Sequence, residues 1–327
     1  MDLGMSKAAP VLRLARLTVA FGVTGNLWFV VLWARSGAEA VPAGSPLLDR
    51  PLWLLLVAAA LGAVGLVSFG ATLNDSLDAT RDQSLNPLRP IPSGQVSERA
   101  TGALLGGSLL LGLLGSVAFG TAGTLVAIGV AVCILALTTG VRFVPAAGLP
   151  LLAMVYAAHM FVVYPEMQFV WPAVLVLTHS FAAAAVAHAV GGKAPRISKR
   201  AWTSAVLAWA VLVGILIALG RSRTGDERAW LGDLGLTMTV APAVAAAVFA
   251  VVVVRKVGQV GRGPRAAEKI TRYAALWLPV YGSAWLAGVG AWLPAVALAL
   301  FALFGFAGAS TAREAFGLIE RPVAFRR

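Results

Sequence analysis

The stretch NDSLDATRD, residues 74–82, carries the residue types and the spacing that pose a chemical question. Asp75, Asp78 and Asp82 fall within eight positions and follow directly on a long apolar run. If a helix continues past Leu73, the three aspartates stand at i, i+3 and i+7. Asn74 then stands at i, i+4 and i+8 with Asp78 and Asp82, and both spacings place the groups on one helical face. Carboxylates converging at a helix end repel one another unless a cation lies between them. Hard oxygen ligands of this kind suit Mg²⁺, which keeps several waters and takes one or two carboxylates together with substrate phosphates. Acids at membrane depth are costly and functional by default. A solvated acidic loop that merely caps the helix would explain the charge. It would not explain the spacing, nor why three of the fourteen acids crowd here. Arg81 and Arg89 stand beside the cluster and, with Asn86, are candidates to bind substrate, because guanidinium groups take phosphate oxygens bidentately. The segment RPIPSG, residues 89–94, fixes a tight turn after the helix.

The elements that must position these groups are membrane helices. Of 327 residues, 59% are hydrophobic and only 12% charged, against about 25% charged in a soluble domain. Apolar stretches of roughly 17–25 residues recur from end to end, each long enough to span a bilayer. No alternating strand pattern supports a barrel. The predicted helices are 14–34, 51–73, 100–119, 121–139, 146–164, 169–190, 201–220, 236–254, 272–289 and 291–309. The first is read as a membrane helix rather than a cleavable signal, being too long for a signal core and lacking a small-residue cleavage site. The fold class is therefore all-α, a polytopic membrane bundle of nine or ten transmembrane helices forming one domain over residues 1–327.

A net charge of +12 does not indicate nucleic acid, because the basic residues are spread over short loops between apolar segments. With the N-terminus in the cytoplasm, 21 of the 26 basic residues fall on the cytoplasmic side and 5 outside. That bias sets the orientation and favours ten crossings over nine. It also makes the chain a multi-pass protein of, by expectation, the bacterial cytoplasmic membrane, in contact with membrane lipid. No protein partner is expected. The long loop 74–99 and the short basic loop GGKAPRISKR, residues 191–200, then share the cytoplasmic face. The basic loop 255–271 is expected to rest on anionic headgroups. The lone Cys133 excludes an internal disulfide and reads as packing. Gly102, Gly106, Gly107, Gly112, Gly115 and Gly120 would let the third helix approach its neighbours, and the ten tryptophans read mostly as interfacial or lipid-facing anchors.

NDSLDATRD followed by NPLRPIPSG resembles the first aspartate-rich signature of the UbiA-type intramembrane prenyltransferases, NDxxDxxxD and then a stretch like RPLPSG. Asn74, Asp75, Asp78 and Asp82 fill all four fixed positions. The pattern stands just after the second predicted helix, and the helical layout of most of the chain is also similar. The resemblance implies a UbiA-like bundle in which the motif binds Mg²⁺ that holds a prenyl diphosphate. Departure of diphosphate would give an allylic carbocation that a lipophilic acceptor attacks. Asn74, Asp75, Asp78 and Asp82 are the implied metal ligands. TTGVRFVPAAGLP, residues 138–150, looks like the family segment that opens the fifth helix, where a basic residue is usual and Arg142 stands.

The family's second motif, DxxxD after the sixth helix, is missing. The corresponding stretch AVAHAVGGKAPRISKR, residues 185–200, carries His188, Lys193 and Arg196 instead of acids. Three readings stay open. Lys193, Arg196 or Arg142 neutralises the diphosphate directly; the donor differs, as in a related branch that transfers phosphoribose from its diphosphate onto a polyprenyl phosphate; or catalysis is lost, leaving a binding or transport protein. The basic stretch 191–200 would also serve topology alone. His188 is placed to face substrate or act as a base, whereas His159 and His179, deeper in their helices, read as interhelical hydrogen-bonding partners or substrate contacts.

Overall fold

The computed structural model describes residues 16–192, 195–224 and 235–320. Their helices are α1 (Leu17–Arg35), α2 (Pro46–Asp49), α3 (Leu52–Leu77), α4 (Ala79–Leu85), α5 (Glu98–Val117), α6 (Gly120–Thr139), α7 (Pro145–Val163), α8 (Trp171–Gly191), α9 (Lys199–Thr224), α10 (Leu236–Val260), α11 (Pro264–Gly288) and α12 (Trp292–Glu320). A single 3₁₀ turn, Val141–Phe143, joins α6 to α7. Eight of the described helices are long and apolar enough to cross a membrane, namely α1, α3 and α5 through α10. The chain is a multi-pass integral membrane protein. Every long apolar segment read from the sequence is a helix, as it must be in lipid, where only internal hydrogen bonds satisfy the backbone.

Helices α1, α3, α6, α7, α8 and α11 pack in succession, each against the next, and α11 closes back on α1. The largest core cluster runs through this bundle, from Val23, Phe29 and Trp33 on α1 to Met160 on α7, Leu177 on α8 and Leu286 on α11. Apolar burial alone does not hold helices together in lipid, so close backbone approach matters. At α3 against α5, a Cβ on Gly65 would stand 2.2 Å from the Gly112 nitrogen, and one on Gly115 would stand 2.4 Å from the Gly62 nitrogen. At α1 against α11, a Cβ on Gly22 would overlap the Ala275 carbonyl.

Three expectations need correction. Residues 255–271 are not a loop: α10 runs to Val260 and α11 starts at Pro264, so three residues make the turn. Ala266, Ala267 and Ile270 bury one side of the charged first turns of α11, and the Gly263 N–H donates to the Val190 carbonyl at 3.0 Å, which docks the turn on the end of α8. Of the α5 glycines, Gly112 and Gly115 face α3, but Gly102, Gly106 and Gly107 face open space. Among the described tryptophans only Trp53, Trp202 and Trp292 are exposed, so lipid-facing positions are the minority. Trp33 and Trp285 are buried, and Trp28, Trp209 and Trp277 donate to Leu56 O, Thr178 Oγ1 and Ala245 O. In a medium without water, an indole N–H gains more from a carbonyl on a neighbouring helix than from lipid.

Candidate active site: an acid cluster matched by arginines

Helix α3 continues one turn past Leu73 and ends at Leu77. Asp78 takes φ −86° and ψ −4°, its N–H donates to the Asn74 carbonyl, and α4 begins at the next residue. Asp82 N donates to Asp78 O at 2.8 Å, so the chain carries a helical bond across the junction. Asn74 and Asp78 share a side of α3, and Asp82 lies a turn further on α4. The following turn then brings Arg89 back. Arg89 N donates to Asn86 O, Ser93 N to Arg89 O, and Val96 N to Pro90 O. Gly94 sits at φ 72°, a left-handed conformation that favours glycine.

Each carboxylate meets a guanidinium. Arg142 reaches Asp78 through two bonds, Nη2 to Oδ1 at 2.6 Å and Nη1 to Oδ2 at 2.9 Å, and also donates to Asn74 Oδ1. Arg89 Nη1 stands 2.5 Å from Asp82 Oδ2 and 3.9 Å from Asp75 Oδ1. Arg16 Nη2 stands 3.4 Å from Asp75 Oδ1. The amide of Asn74 donates to Asp75 Oδ1 and Asp78 Oδ2, both at 3.2 Å, and Asn86 Nδ2 donates to Asp82 Oδ1 at 3.2 Å. The motif is thus one connected network, with Asn74 bridging Asp75 to Asp78 and Arg89 bridging Asp75 to Asp82. Burial is graded. The side chain of Asp82 is 6% exposed and those of Asp75 and Asp78 15% and 16%, but Arg89 and Arg16 are 41% and 48% exposed. The acids are the more buried partners, and two of the bases stand nearer the surface.

Two residues here escaped sequence reasoning. Arg16, counted only as a topological charge, caps α1 with φ 45° and ψ 50°, a left-handed conformation uncommon for arginine. Gly148 on α7 lies under the turn that carries Arg142: a Cβ there would stand 2.9 Å from Val141 O and 3.0 Å from Arg142 Cα. A glycine in the first turn of an apolar helix is the only signal the sequence offers for it.

The remaining predicted residues lie apart from this network. Arg81 is exposed, and among the described residues its guanidinium pairs with none of the three aspartates. Arg196 is exposed, and Lys193 lies outside the described residues. His188 Nε2 lies 3.0 Å from Pro195 O, a contact that ties the end of α8 to the basic stretch. His179 joins helices: Nδ1 lies 2.9 Å from the Tyr281 hydroxyl and Nε2 3.1 Å from Ala274 O. A carbonyl only accepts, so Nε2 carries the proton and Nδ1 accepts from tyrosine. His159 Nδ1 meets the Val155 carbonyl of its own helix, which makes it a local contact rather than an interhelical one.

The donor set suits Mg²⁺ in kind, with hard carboxylate and amide oxygens gathered in one network. Among the described residues no three His, Cys, Asp or Glu side chains converge into a metal cage. An ion here would therefore take one or two of these carboxylates and fill its shell with water and phosphate oxygens. Two cavities, of about 360 and 330 Å³, lie elsewhere, one against α10, α11 and α12 and the other among α6 to α9.

No family model matches the chain, and no curated protein matches it. Among solved structures, one concerned with digeranylgeranylglyceryl phosphate synthase in membranes aligns with a TM-score of 0.54. The identity is 16%, over 86% of this chain and 98% of that one. A UbiA homologue from Archaeoglobus fulgidus aligns at 0.49 with 15% identity, over 84% and 99% of the two chains. The same homologue bound to GPP and Mg²⁺ aligns at 0.43 with 15% identity, over 91% and 98%. The chain shares the fold of the first of these, the digeranylgeranylglyceryl phosphate synthase structure. In this bundle the arginine-matched acids stand where α3 ends and α7 begins, with the start of α1 beside them.

Proposed function

We propose that the protein is a Mg²⁺-dependent prenyltransferase that moves a prenyl group from a prenyl diphosphate to a lipophilic acceptor within the membrane. One observation carries the reading. Asn74, Asp75, Asp78 and Asp82 form a connected acid cluster, answered by Arg16, Arg89 and Arg142, at one end of a UbiA-like bundle. Arg89 follows Asp82 by seven residues, but Arg16 and Arg142 come from 59 and 64 residues away, so the cluster gathers charge from three parts of the chain at one point.

Asp78 and Asp82, supported by Asp75 and Asn74, would hold Mg²⁺. When bound, the ion neutralises the charge that grows on the departing diphosphate. Arg142, Arg89 and Arg16 already touch the carboxylates, which places them to bond phosphate oxygens beside the same groups. Bidentate arginine fixes a diphosphate in orientation as well as in charge. The acids hold the guanidinium groups beside them before substrate arrives, and ion and phosphate would then exchange for these partners. With no acids in residues 185–200, this one mouth supplies the whole carboxylate contribution, and Arg142 stands as the fixed positive charge beside it. His188, Lys193 and Arg196 belong to the reading only as further phosphate contacts from the end of α8. Prenyl chain and acceptor are both lipophilic and reach the mouth from the membrane.

The test is donor consumption by purified protein in detergent with Mg²⁺. We expect diphosphate release from geranyl or longer prenyl diphosphates in the presence of lipophilic acceptors. Consumption of phosphoribosyl diphosphate with a polyprenyl phosphate, and not of prenyl donors, overturns the reading in favour of phosphoribosyl transfer. Tight binding without release from any donor overturns it in favour of a binding or transport protein.

A further inference from the structure

The cavity of about 330 Å³ among α6, α7, α8 and α9 has no part in the reading above. Its floor is Ala157 and Leu177, which are 2% and 1% exposed, and its outer wall includes Ile215 at 50%. It runs from Met154 on α7 to Pro165 just past that helix, and along α9 from Leu212 to Arg223. At the helical rise the α9 span is about 16 Å. The two helices run in the same direction, so Pro165 and Arg223 mark the same end, and Arg223 Nη1 donates to Met167 O there at 2.9 Å. Small side chains, Ala157 and Ala158, open the groove, and the lining is apolar except at that end. Arg223 is the only charged residue in the lining, and its guanidinium lies 5.8 Å from the Phe161 ring.

A narrow apolar slot with one cation at its mouth, on the flank of a membrane helix, has the shape and charge of an anionic amphiphile's binding site. The aspartate mouth is too far to share it. Arg142 stands just before α7, and Phe161 lies sixteen residues beyond Pro145, about 24 Å along the helix. An amphiphile headed at Arg223 therefore sits at the opposite end of the bundle from the acid cluster. We infer that this groove holds one acyl chain of a bilayer glycerophospholipid, with the lipid phosphate at Arg223. The site binds structural lipid in the leaflet away from the acid cluster, and it stands whether or not the diphosphate reading does.

The test uses the full chain in nanodiscs that contain phosphatidylglycerol or phosphatidylcholine with a diazirine near the end of one acyl chain. Photolysis and peptide mapping then locate the label. We expect label on α7 and α9 at least fivefold denser than on the exposed Leu110 and Leu114 of α5. Ala158→Phe fills the slot and lowers α7 and α9 labelling at least fivefold without altering α5. Should that variant fail to fold, Ile215→Trp on the outer wall gives the same reading. Arg223→Gln reduces the preference for phosphatidylglycerol over phosphatidylcholine at least threefold. Labelling of α7 and α9 no denser than that of α5, or unchanged when the slot is filled, overturns the site. An unchanged headgroup preference in Arg223→Gln overturns the role of Arg223.

Discussion

Acid side chains are satisfied in opposite ways at the two ends of the bundle. At one end, Asp75, Asp78 and Asp82 are met by side chains, the guanidinium groups of Arg16, Arg142 and Arg89. At the other, Glu39 in the α1–α2 linker accepts from backbone N–H groups of Gln168 and Phe169, at 2.6 and 3.3 Å, and from the Trp33 indole at 3.1 Å. Phe169, held by that bond, stacks on Trp33 at 5.1 Å and meets Trp285 edge-on at 5.4 Å. Backbone donors cannot leave, so Glu39 clamps the α7–α8 connection to α1. Arginine side chains can swing, and a divalent ion or a phosphate can take the place of either partner. The comparison separates a clasp from a site: at both ends the acids have hydrogen-bonding partners, but only at one can those partners be exchanged.

The largest expected effect lies at the exchangeable end. Asp78→Asn removes the charge that two bonds from Arg142 converge on, and Mg²⁺-dependent turnover of a prenyl diphosphate should fall by about 10²- to 10³-fold. Stability should fall as well, because an amide keeps one acceptor and turns an N–H toward Arg142 or Asn74, so turnover is compared per folded molecule. Unaltered turnover would dissolve the distinction between the two ends. Arg142→Gln should raise KM for the diphosphate donor by about tenfold, the weight of one charge-assisted phosphate contact. A loss confined to kcat would place Arg142 elsewhere in the reaction.

At the clasp the ranking reverses, with stability changing and turnover not. Glu39→Ala leaves two backbone N–H groups and an indole without their acceptor and should cost about 2–3 kcal/mol in unfolding experiments. Turnover per folded molecule should stay at the unsubstituted level. Burial raises the Glu39 pKa above the ordinary carboxylate value, against the lowering effect of its donors. A raised folded-state value favours folding below the ordinary value, and that contribution disappears as pH rises through the folded value. The unsubstituted protein should therefore lose stability relative to Glu39→Gln as pH climbs from acid toward neutral, read as a difference in melting temperature. A parallel pair of curves would remove Glu39 from the clasp. The smallest effect belongs to Arg81→Ala: an exposed guanidinium outside the network should change donor KM by no more than about twofold, in line with a weak surface charge.

Much of this contrast is legible in the sequence at one end and almost none at the other. Spans of about 20 apolar residues can only be helices in lipid, so their number and order follow from composition. Asn74, Asp75, Asp78 and Asp82 announce themselves because acids are scarce in this chain and their spacing is helical. Arg142 was found by resemblance, not by spacing. Arg16 lies 59 residues from its partner Asp75, and no local pattern connects them. Glu39 is a lone acid in a polar linker, and its role depends on where the α7–α8 connection returns in space. The first turns of α11 were read as loop because Arg265, Lys269 and Arg272 mask the buried stripe of Ala266, Ala267 and Ile270. Pro264 at the first helical position was the available start signal.

Equilibrium binding of geranyl diphosphate to the purified protein, with Mg²⁺ and then with EDTA, tests the central claim most directly when Asp78→Asn is measured alongside. Saturable binding that needs the divalent ion and is lost in Asp78→Asn is the result the account predicts. Equal affinity with EDTA and in the variant would show that the acid cluster binds no metal-linked diphosphate, and would contradict it.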